Sequence, residues 1–165
     1  MDINFKSKSK YFAEIAIIAA IYIVLTVGLS FISYSNIQFR ISEALLVLVL
    51  FRKSAIPGLI LGCFIANLFS PLGIPDLIFG TLGTVIAVWG IYMLREKNIL
   101  VALLPGIVAN TILVGLELKI FLNIPFFVGS LGVLIGETVV LYTLGVLFFY
   151  ALKKLKFASD YENVL

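Results

Sequence analysis

Six apolar runs, each followed by charged or polar residues, constrain this chain more than any other feature. A transmembrane helix needs about 20 mainly apolar residues, so six such segments use roughly 120 positions. The composition agrees, because 62% of the 165 residues are hydrophobic and only 13% are charged, whereas about a quarter of a soluble domain is charged. The sequence therefore predicts one all-α integral membrane domain over residues 1–165 and excludes a water-soluble globule.

The predicted membrane spans follow the apolar runs. The second and third are short for a hydrocarbon core of about 30 Å at 1.5 Å per residue. We expect these two segments to extend into their flanking residues or to be shielded by neighbouring helices. The predicted spans are 11–33, 41–52, 55–70, 76–94, 98–118 and 125–152.

Basic residues cluster at alternate ends of these segments. If six helices alternate in direction, ten of the twelve Lys and Arg residues share one side of the membrane, and only Arg40 and Lys119 lie opposite. Cytoplasmic connections carry an excess of Lys and Arg. Both termini are therefore predicted to be cytoplasmic, with outward connections at about 34–40, 71–75 and 119–124.

Several function classes are poorly supported by the composition. Histidine is absent and Cys63 is the only cysteine, so the usual ligand sets for zinc, haem and iron–sulfur clusters are missing. We expect no metal, no cofactor and no enzymatic activity. The net charge of +3 comes without a long basic tract, so nucleic acid is not an expected partner.

Ionisable residues within apolar segments are the most informative, because each costs about 2.5–3.5 kcal/mol at the membrane centre on insertion scales. Near the outer face, the predicted topology places Arg40, Glu43, Asn67, Asp76 and Glu117. Asn110 precedes Glu117 by two helical turns, so both are expected to look the same way. Glu137 lies deeper in the last segment. Ordinary roles compete, since first-turn carboxylates complement helix dipoles and an arginine can snorkel to headgroups. The convergence nevertheless predicts a polar pocket that opens outward above an apolar inner half.

Small residues form a second pattern, in the first segment. Ala16 and Ala20 are four residues apart, and Ala13 and Ala19 are expected to extend the same surface. Such faces let membrane helices approach each other closely. Packing within the bundle and docking of a partner protein are the two interpretations.

Several strings in the chain together resemble the QueT family. They are Gln38–Leu45, Ile56–Leu59, Leu61–Cys63, Ala66–Leu68, Asp76 with Gly80, Val114–Glu117, and Gly136 with Glu137. QueT proteins are regarded as substrate-binding S components of energy-coupling factor (ECF) transporters that import queuosine precursors. The resemblance implies an S-component-like bundle of six helices in a bacterial cell membrane, and it gives Ala16 and Ala20 a role in docking on the coupling subunit.

The resemblance also implies a 7-deazaguanine ligand, such as prequeuosine base or queuine. A carboxylate can accept from the ring N1–H and the 2-amino group together, and Glu137 is the first candidate for this role, before Glu117. Asp76 or Glu43 would meet an aminomethyl cation, and Arg40 is expected to pair with Glu43. Amide candidates for the remaining ring atoms are Asn110, Asn67 and Gln38, and aromatic candidates for covering the ring are Phe39, Tyr34, Phe126 and Phe127.

Import would draw energy from other subunits, because the sequence contains no GxxxxGK[ST] phosphate-binding loop. The implied partners are the ECF coupling membrane subunit, two ATPase subunits and the lipid bilayer. The alternatives are an S component for another vitamin or base, such as riboflavin, biotin or pantothenate, a small channel or scaffold, and an intramembrane enzyme. Ligand binding, ion conductance and substrate turnover distinguish them.

Overall fold

The computed structural model describes residues 5–33 and 38–155 and shows only helices there. Part of the first predicted connection, residues 34–37, lies outside the described residues, and so does Tyr34 as its first member. Lys156, one of the basic residues that follow the last predicted span, also lies outside them. The elements are α1 (Phe5–Gly28), α2 (Ser30–Ser33), a 3-10 helix (Ile41–Leu50), α3 (Ala55–Asn67), α4 (Ile74–Met93), α5 (Ile99–Leu122), α6 (Phe126–Val139), a π-helical stretch (Val140–Gly145) and α7 (Val146–Lys154).

Four stretches are long and apolar enough to cross a membrane. They are Lys8–Gly28, Ile74–Met93, Ile99–Leu122 and Phe126–Lys154, the last of which runs through α6, the π-helical stretch and α7. The two other apolar helices, Ile41–Leu50 and Ala55–Asn67, are shorter, as their sequences indicate. Six membrane-crossing helices and the side on which the termini lie stay predictions.

The short second segment is a 3-10 helix of 10 residues, whereas 3-10 runs longer than three or four residues are uncommon. A rise of about 2.0 Å per residue makes it roughly 20 Å long, compared with roughly 15 Å for the same residues in an α-helix. All residues from Ser42 to Val49 are buried. The helix is therefore stretched along its axis and surrounded by protein on every side.

Most of the other helices enclose this central element. Along the chain, α1 packs on α3, α3 on α4, α4 on α5, and α5 on α6. The 3-10 helix contacts α1, α3, α4, α5, the π-helical stretch and α7. Its apolar side chains form a core with Leu59, Ile91, Leu103 and Leu141, each of which is fully buried. We call this cluster the apolar core.

A basic end of the bundle adjoins the apolar core. Arg52 Nη1 lies 3.8 Å from Glu14 Oε1, and Ser54 Oγ donates to Glu14 Oε2 at 2.7 Å, which joins the first half of α1 to the beginning of α3. The ring centroids of Phe51 and Phe149 are 5.2 Å apart, so α7 reaches the same end. The polar residues discussed next lie at the other end.

Candidate functional site

Eight of the nine residues predicted to bind a ligand are buried in the structure. They are Gln38, Arg40, Glu43, Asn67, Asp76, Asn110, Glu117 and Glu137. Phe39, the ninth, is half-buried. The eight come from the approach to the 3-10 helix, the 3-10 helix itself, α3, α4, α5 and α6, and contacts described below bring them together. We call this group the acidic end.

Asn110 joins two carboxyl groups deep in the acidic end. Its Nδ2 donates to Glu43 Oε2 at 3.4 Å and to Glu137 Oε1 at 3.2 Å. Tyr22 OH donates to the other oxygen of Glu43. Glu137 Oε2 is buried and receives no hydrogen bond from the described residues. One acceptor on Glu137 is therefore available to a ligand.

Asp76 and Glu117 form a second carboxyl pair. The two side chains lie within hydrogen-bonding reach of each other, and Ser70 Oγ donates to Asp76 Oδ2. Asp76 Oδ1 and both Glu117 oxygens are buried and receive no hydrogen bond from an N–H or O–H group of the described residues. Two carboxylates this close repel each other unless a proton or a cation lies between them.

Arg40 supplies positive charge to both pairs. Its guanidinium interacts electrostatically with Glu43 and Asp76, and also with Glu117 and Glu137. It is the one buried Lys or Arg within residues 8–33 and 38–155, for which burial is described. One guanidinium thus interacts electrostatically with four carboxyl groups, and its direct pairing with Glu43 stays a prediction.

Asn67 ends α3 beside the first turns of α4. Its Nδ2 donates to Cys63 Sγ at 3.3 Å and to Thr81 Oγ1 at 3.4 Å, while Oδ1 has no hydrogen-bond partner within the described ranges. A Cβ atom on Gly80 would lie only 2.8 Å from Asn67 Nδ2. Asn67 therefore fits because α4 has a glycine opposite it.

Two more glycines make room for the site. A Cβ atom on Gly83 would collide with Asn110 Oδ1, and one on Gly136 would collide with the backbone carbonyl of Gln38. Gly136 immediately precedes Glu137 along α6. The close approach therefore holds the chain that leads into the 3-10 helix against α6, next to the available Glu137 oxygen.

A cavity of about 370 Å³ adjoins the acidic end, and this volume lies within the usual range for small-molecule sites. Its polar lining includes Gln38, Ser70 and Asp76, and Leu72 and Ile124 form part of the apolar lining. Leu72 and Ile124 belong to the second and third predicted outward connections. Of the nine residues predicted to bind a ligand, Gln38 and Asp76 line the cavity, and Asp76 also belongs to the second carboxyl pair. That the cavity opens to the outside stays a prediction.

The sequence analysis missed polar residues of α1 that contact the site. Tyr22 and Thr26 are fully buried, and Thr26 Oγ1 lies 2.6 Å from Ser42 Oγ. The available signal was a tyrosine and a threonine four residues apart in an apolar helix, since a buried tyrosine hydroxyl usually needs a hydrogen-bond partner. These two residues tie α1 to the beginning of the 3-10 helix.

Two expectations for individual side chains need correction. Phe127 is 83% exposed, so it is not placed to cover a ligand ring, whereas Phe126 is half-buried with a ring carbon 3.2 Å from the Cβ position of Gly115.

Ala19 is buried, and its backbone lies about 3 Å from the Cβ position of Gly62 on α3. Ala19 therefore packs inside the bundle and does not extend the surface of Ala16.

Ala13, Ala16 and Ala20 are exposed on α1. Ala16 and Ala20 lie one turn apart on the side of α1 that the other helices leave uncovered, which is the geometry that a docking surface requires. Whether another protein covers them stays a prediction.

Comparisons with known proteins give a consistent result. A family model described as QueT transporter matches residues 12–154. The queuosine precursor transporter QueT of Lactococcus lactis subsp. cremoris (strain MG1363) is 45% identical over 83 residues, which cover 49% of this chain and 48% of that protein. The match thus spans about half the length of this curated relative. No solved structure matches the chain.

Proposed function

Because the chain belongs to the QueT transporter family, we propose that it is the substrate-binding S component of an ECF-type ATP-driven importer that takes up a queuosine precursor. Its apolar helices make it a multi-pass membrane protein. The name of the Lactococcus relative supports the substrate class. In this proposal the protein lies in the bacterial cell membrane with both termini cytoplasmic, and the acidic end faces outward.

The observation that carries the proposal is a set of buried acceptor atoms without donors. Glu137 Oε2, Asp76 Oδ1, Asn67 Oδ1 and both Glu117 oxygens belong to this set. A buried polar atom without a partner costs about 1–3 kcal/mol. A ligand rich in N–H groups removes this cost when it binds, and a 7-deazaguanine offers N1–H and a 2-amino group on one edge.

We place this edge of the base on Glu137. Asn110 already holds Glu137 Oε1, so the carboxyl group is oriented before the ligand arrives, and Gln38 connects the cavity to the neighbourhood of Gly136. Gln38 and Asn67 are then the amides that serve the remaining polar ring atoms, and Phe39 is the half-buried aromatic residue that covers a face of the ring.

Transport would require partners that bind elsewhere on the chain. We propose that the exposed alanines Ala16 and Ala20 dock on the coupling membrane subunit, which two ATPase subunits drive. Their small side chains permit close approach of another helix where lipid provides no hydrophobic driving force. Uptake then depends on α1, whereas recognition of the ligand depends on the acidic end.

A calorimetric titration of the purified chain in detergent or nanodiscs tests the proposal. The ligands are 7-cyano- and 7-aminomethyl-7-deazaguanine, queuine, guanine, riboflavin, biotin and pantothenate. We expect saturable binding of at least one 7-deazaguanine and no binding of the three vitamins. Binding of a vitamin alone would indicate an S component for that vitamin, and ion conductance without saturable binding of any ligand would indicate a channel.

A further inference from the structure

We propose that Glu14 is a positioning residue that links occupation of the ligand site to the exposed alanine face of α1. The inference rests on the proposed function, in which Ala16 and Ala20 dock on the coupling subunit. It adds to that function a physical connection between the two sites, which runs through the 3-10 helix.

A chain of three hydrogen bonds leads from the ligand carboxyl group to α1. Asn110 Nδ2 donates to Glu137 Oε1 at 3.2 Å and to Glu43 Oε2 at 3.4 Å, and Tyr22 OH donates to Glu43 Oε1. All four side chains are buried, so bulk water does not compete for these contacts. Tyr22 lies on α1, two residues after Ala20. A ligand that binds Glu137 therefore acts on a chain of contacts that ends on the docking helix.

Glu14 attaches α1 a second time, at the basic end. Its Oε1 lies 3.8 Å from Arg52 Nη1, and its Oε2 accepts a hydrogen bond from Ser54 Oγ at 2.7 Å. Arg52 follows the last residue of the 3-10 helix by two positions. Near both of its ends, the 3-10 helix is thus connected to α1, and Ala16 and Ala20 lie between the two attachments in the sequence.

The 3-10 helix is an element whose length can change. From Glu43, in its first turn, to Leu50, its last residue, it covers about 14 Å, whereas the same residues in an α-helix cover about 10.5 Å. Tyr22 and Glu14 are about 12 Å apart along α1, which is already α-helical. A change of the 3-10 helix toward α geometry therefore displaces one attachment relative to the other by about 3.5 Å and shifts α1.

Stabilisation of the bundle is the competing role for Glu14. Partly exposed ion pairs contribute little to stability, and the side chains of Glu14 and Arg52 are 28% and 22% exposed. In addition, α1 is held closely against α3, since a Cβ atom on Gly58 would lie 3.1 Å from the carbonyl oxygen of Ile15. The position of α1 in the bundle therefore does not depend on Glu14, whereas the connection of α1 to the end of the 3-10 helix does.

The test measures thermodynamic linkage between two binding events. The probes are the 7-deazaguanine that binds the isolated chain most tightly and the complex of the coupling subunit with its ATPases. We call the ratio of the affinities for this complex with and without the base the linkage factor. In the unmodified protein in nanodiscs it should differ from one by at least about fivefold, and the complex should change the affinity for the base by the same factor.

Glu14→Gln should reduce the linkage factor to less than about twofold, while the isolated chain keeps its affinity for the base within about twofold. Ser54→Ala removes the other contact of the same carboxyl group and provides the measurement if Glu14→Gln does not fold. Glu96→Gln is the matched control, because Glu96 Oε1 lies 3.7 Å from Arg95 Nη2 in an ion pair beyond the end of α4. It should leave the linkage factor unchanged.

Three results would overturn the inference while the proposed function stands. They are an unchanged linkage factor in Glu14→Gln, a factor of one in the unmodified protein, and an equal loss of linkage in Glu96→Gln. Loss of base binding by the isolated Glu14→Gln chain would also overturn it, because Glu14 would then stabilise the bundle. If the unmodified protein binds no 7-deazaguanine, the proposed function itself fails.

Discussion

The acidic end and the apolar core are both buried, yet they differ in how completely their atoms are satisfied. In the apolar core, Leu46, Ile91 and Leu103 are fully enclosed by other apolar side chains. In the acidic end, Glu117 and Glu137 are also buried but keep acceptor atoms without donors. The comparison indicates that the apolar core provides stability, and that the acidic end retains hydrogen-bonding capacity for a ligand.

Glycines show the same difference. Gly106 lies in the apolar core, where a Cβ atom would be 3.1 Å from methyl groups of both Leu46 and Leu141. Gly83 and Gly136 lie in the acidic end, where a Cβ atom would collide with the oxygens of Asn110 and Gln38. In the first case the missing side chain permits close apolar packing. In the second it provides room for polar groups that the site uses.

The largest effect is expected from the apolar core. Leu103→Ala should lower the free energy of unfolding by about 2–5 kcal/mol, because it leaves a cavity beside the 3-10 helix. Ligand affinity of the folded fraction should not change. Unfolding in mixed detergent micelles measures the first quantity and calorimetry the second. Leu104→Ala is the control, since Leu104 is 43% exposed. Loss of affinity without loss of stability would contradict the division between the two regions.

Glu137→Gln tests the acidic end and should have the opposite result. Affinity for a 7-deazaguanine should fall by about 2–4 kcal/mol, because the amide replaces an acceptor by a donor that opposes the donors of the ligand. Stability should change less, since Glu137 Oε2 has no donor to lose among the described residues. Glu96→Gln is the control, as its side chain is 83% exposed. Unchanged affinity in a folded Glu137→Gln protein would make Glu137 a structural residue.

Tyr22→Phe examines the boundary between the two regions. Removing the hydroxyl leaves Glu43 without one of its donors, so the free energy of unfolding should fall by about 1–3 kcal/mol. Ligand affinity should fall less than in Glu137→Gln, because Asn110 still holds Glu43. Thermal unfolding and calorimetry on the same sample separate the two effects, and Tyr150→Phe, at an exposed position, is the reference. A loss of affinity larger than that of Glu137→Gln would place Tyr22 in direct contact with the ligand.

The smallest effect on the isolated chain is expected from Ala16→Leu. Ala16 is exposed, so stability should change by less than about 0.5 kcal/mol and ligand affinity should be unchanged. Uptake by cells that contain the ATPases and the coupling subunit should nevertheless be lost, because the larger side chain keeps the partner helix away. Ala151→Leu, at another exposed alanine, should leave uptake intact. Normal uptake with Ala16→Leu would mean that lipid covers this face.

The helices themselves could be predicted from the sequence, because charged and proline-containing connections interrupt the apolar runs. The fifth helix ends at Leu122, four residues beyond the predicted end, where apolar residues continue past Lys119. The burial of the eight polar residues could also be anticipated, since polar groups in an apolar chain avoid lipid.

The pairing of the polar residues could not be predicted. Asn110 and Glu117 are both buried and both meet α4, but Asn110 bonds Glu43 and Glu137 whereas Glu117 contacts Asp76. A helix that is apolar on all sides does not indicate which neighbour each position contacts. The burial of Ala19 is a consequence of the same ambiguity, because its partner Gly62 lies on a different helix.

The central 3-10 helix has a consequence for the order in which the chain is assembled during synthesis. A segment of 10 residues that contains Glu43 is too short to be held in a bilayer by itself. Its contacts include α5, the π-helical stretch and α7, which are translated roughly 60 to 100 residues later. The 3-10 helix is thus synthesised well before several of the helices that it contacts. Glu43 therefore cannot reach its final environment until Asn110 and Glu137 have left the ribosome.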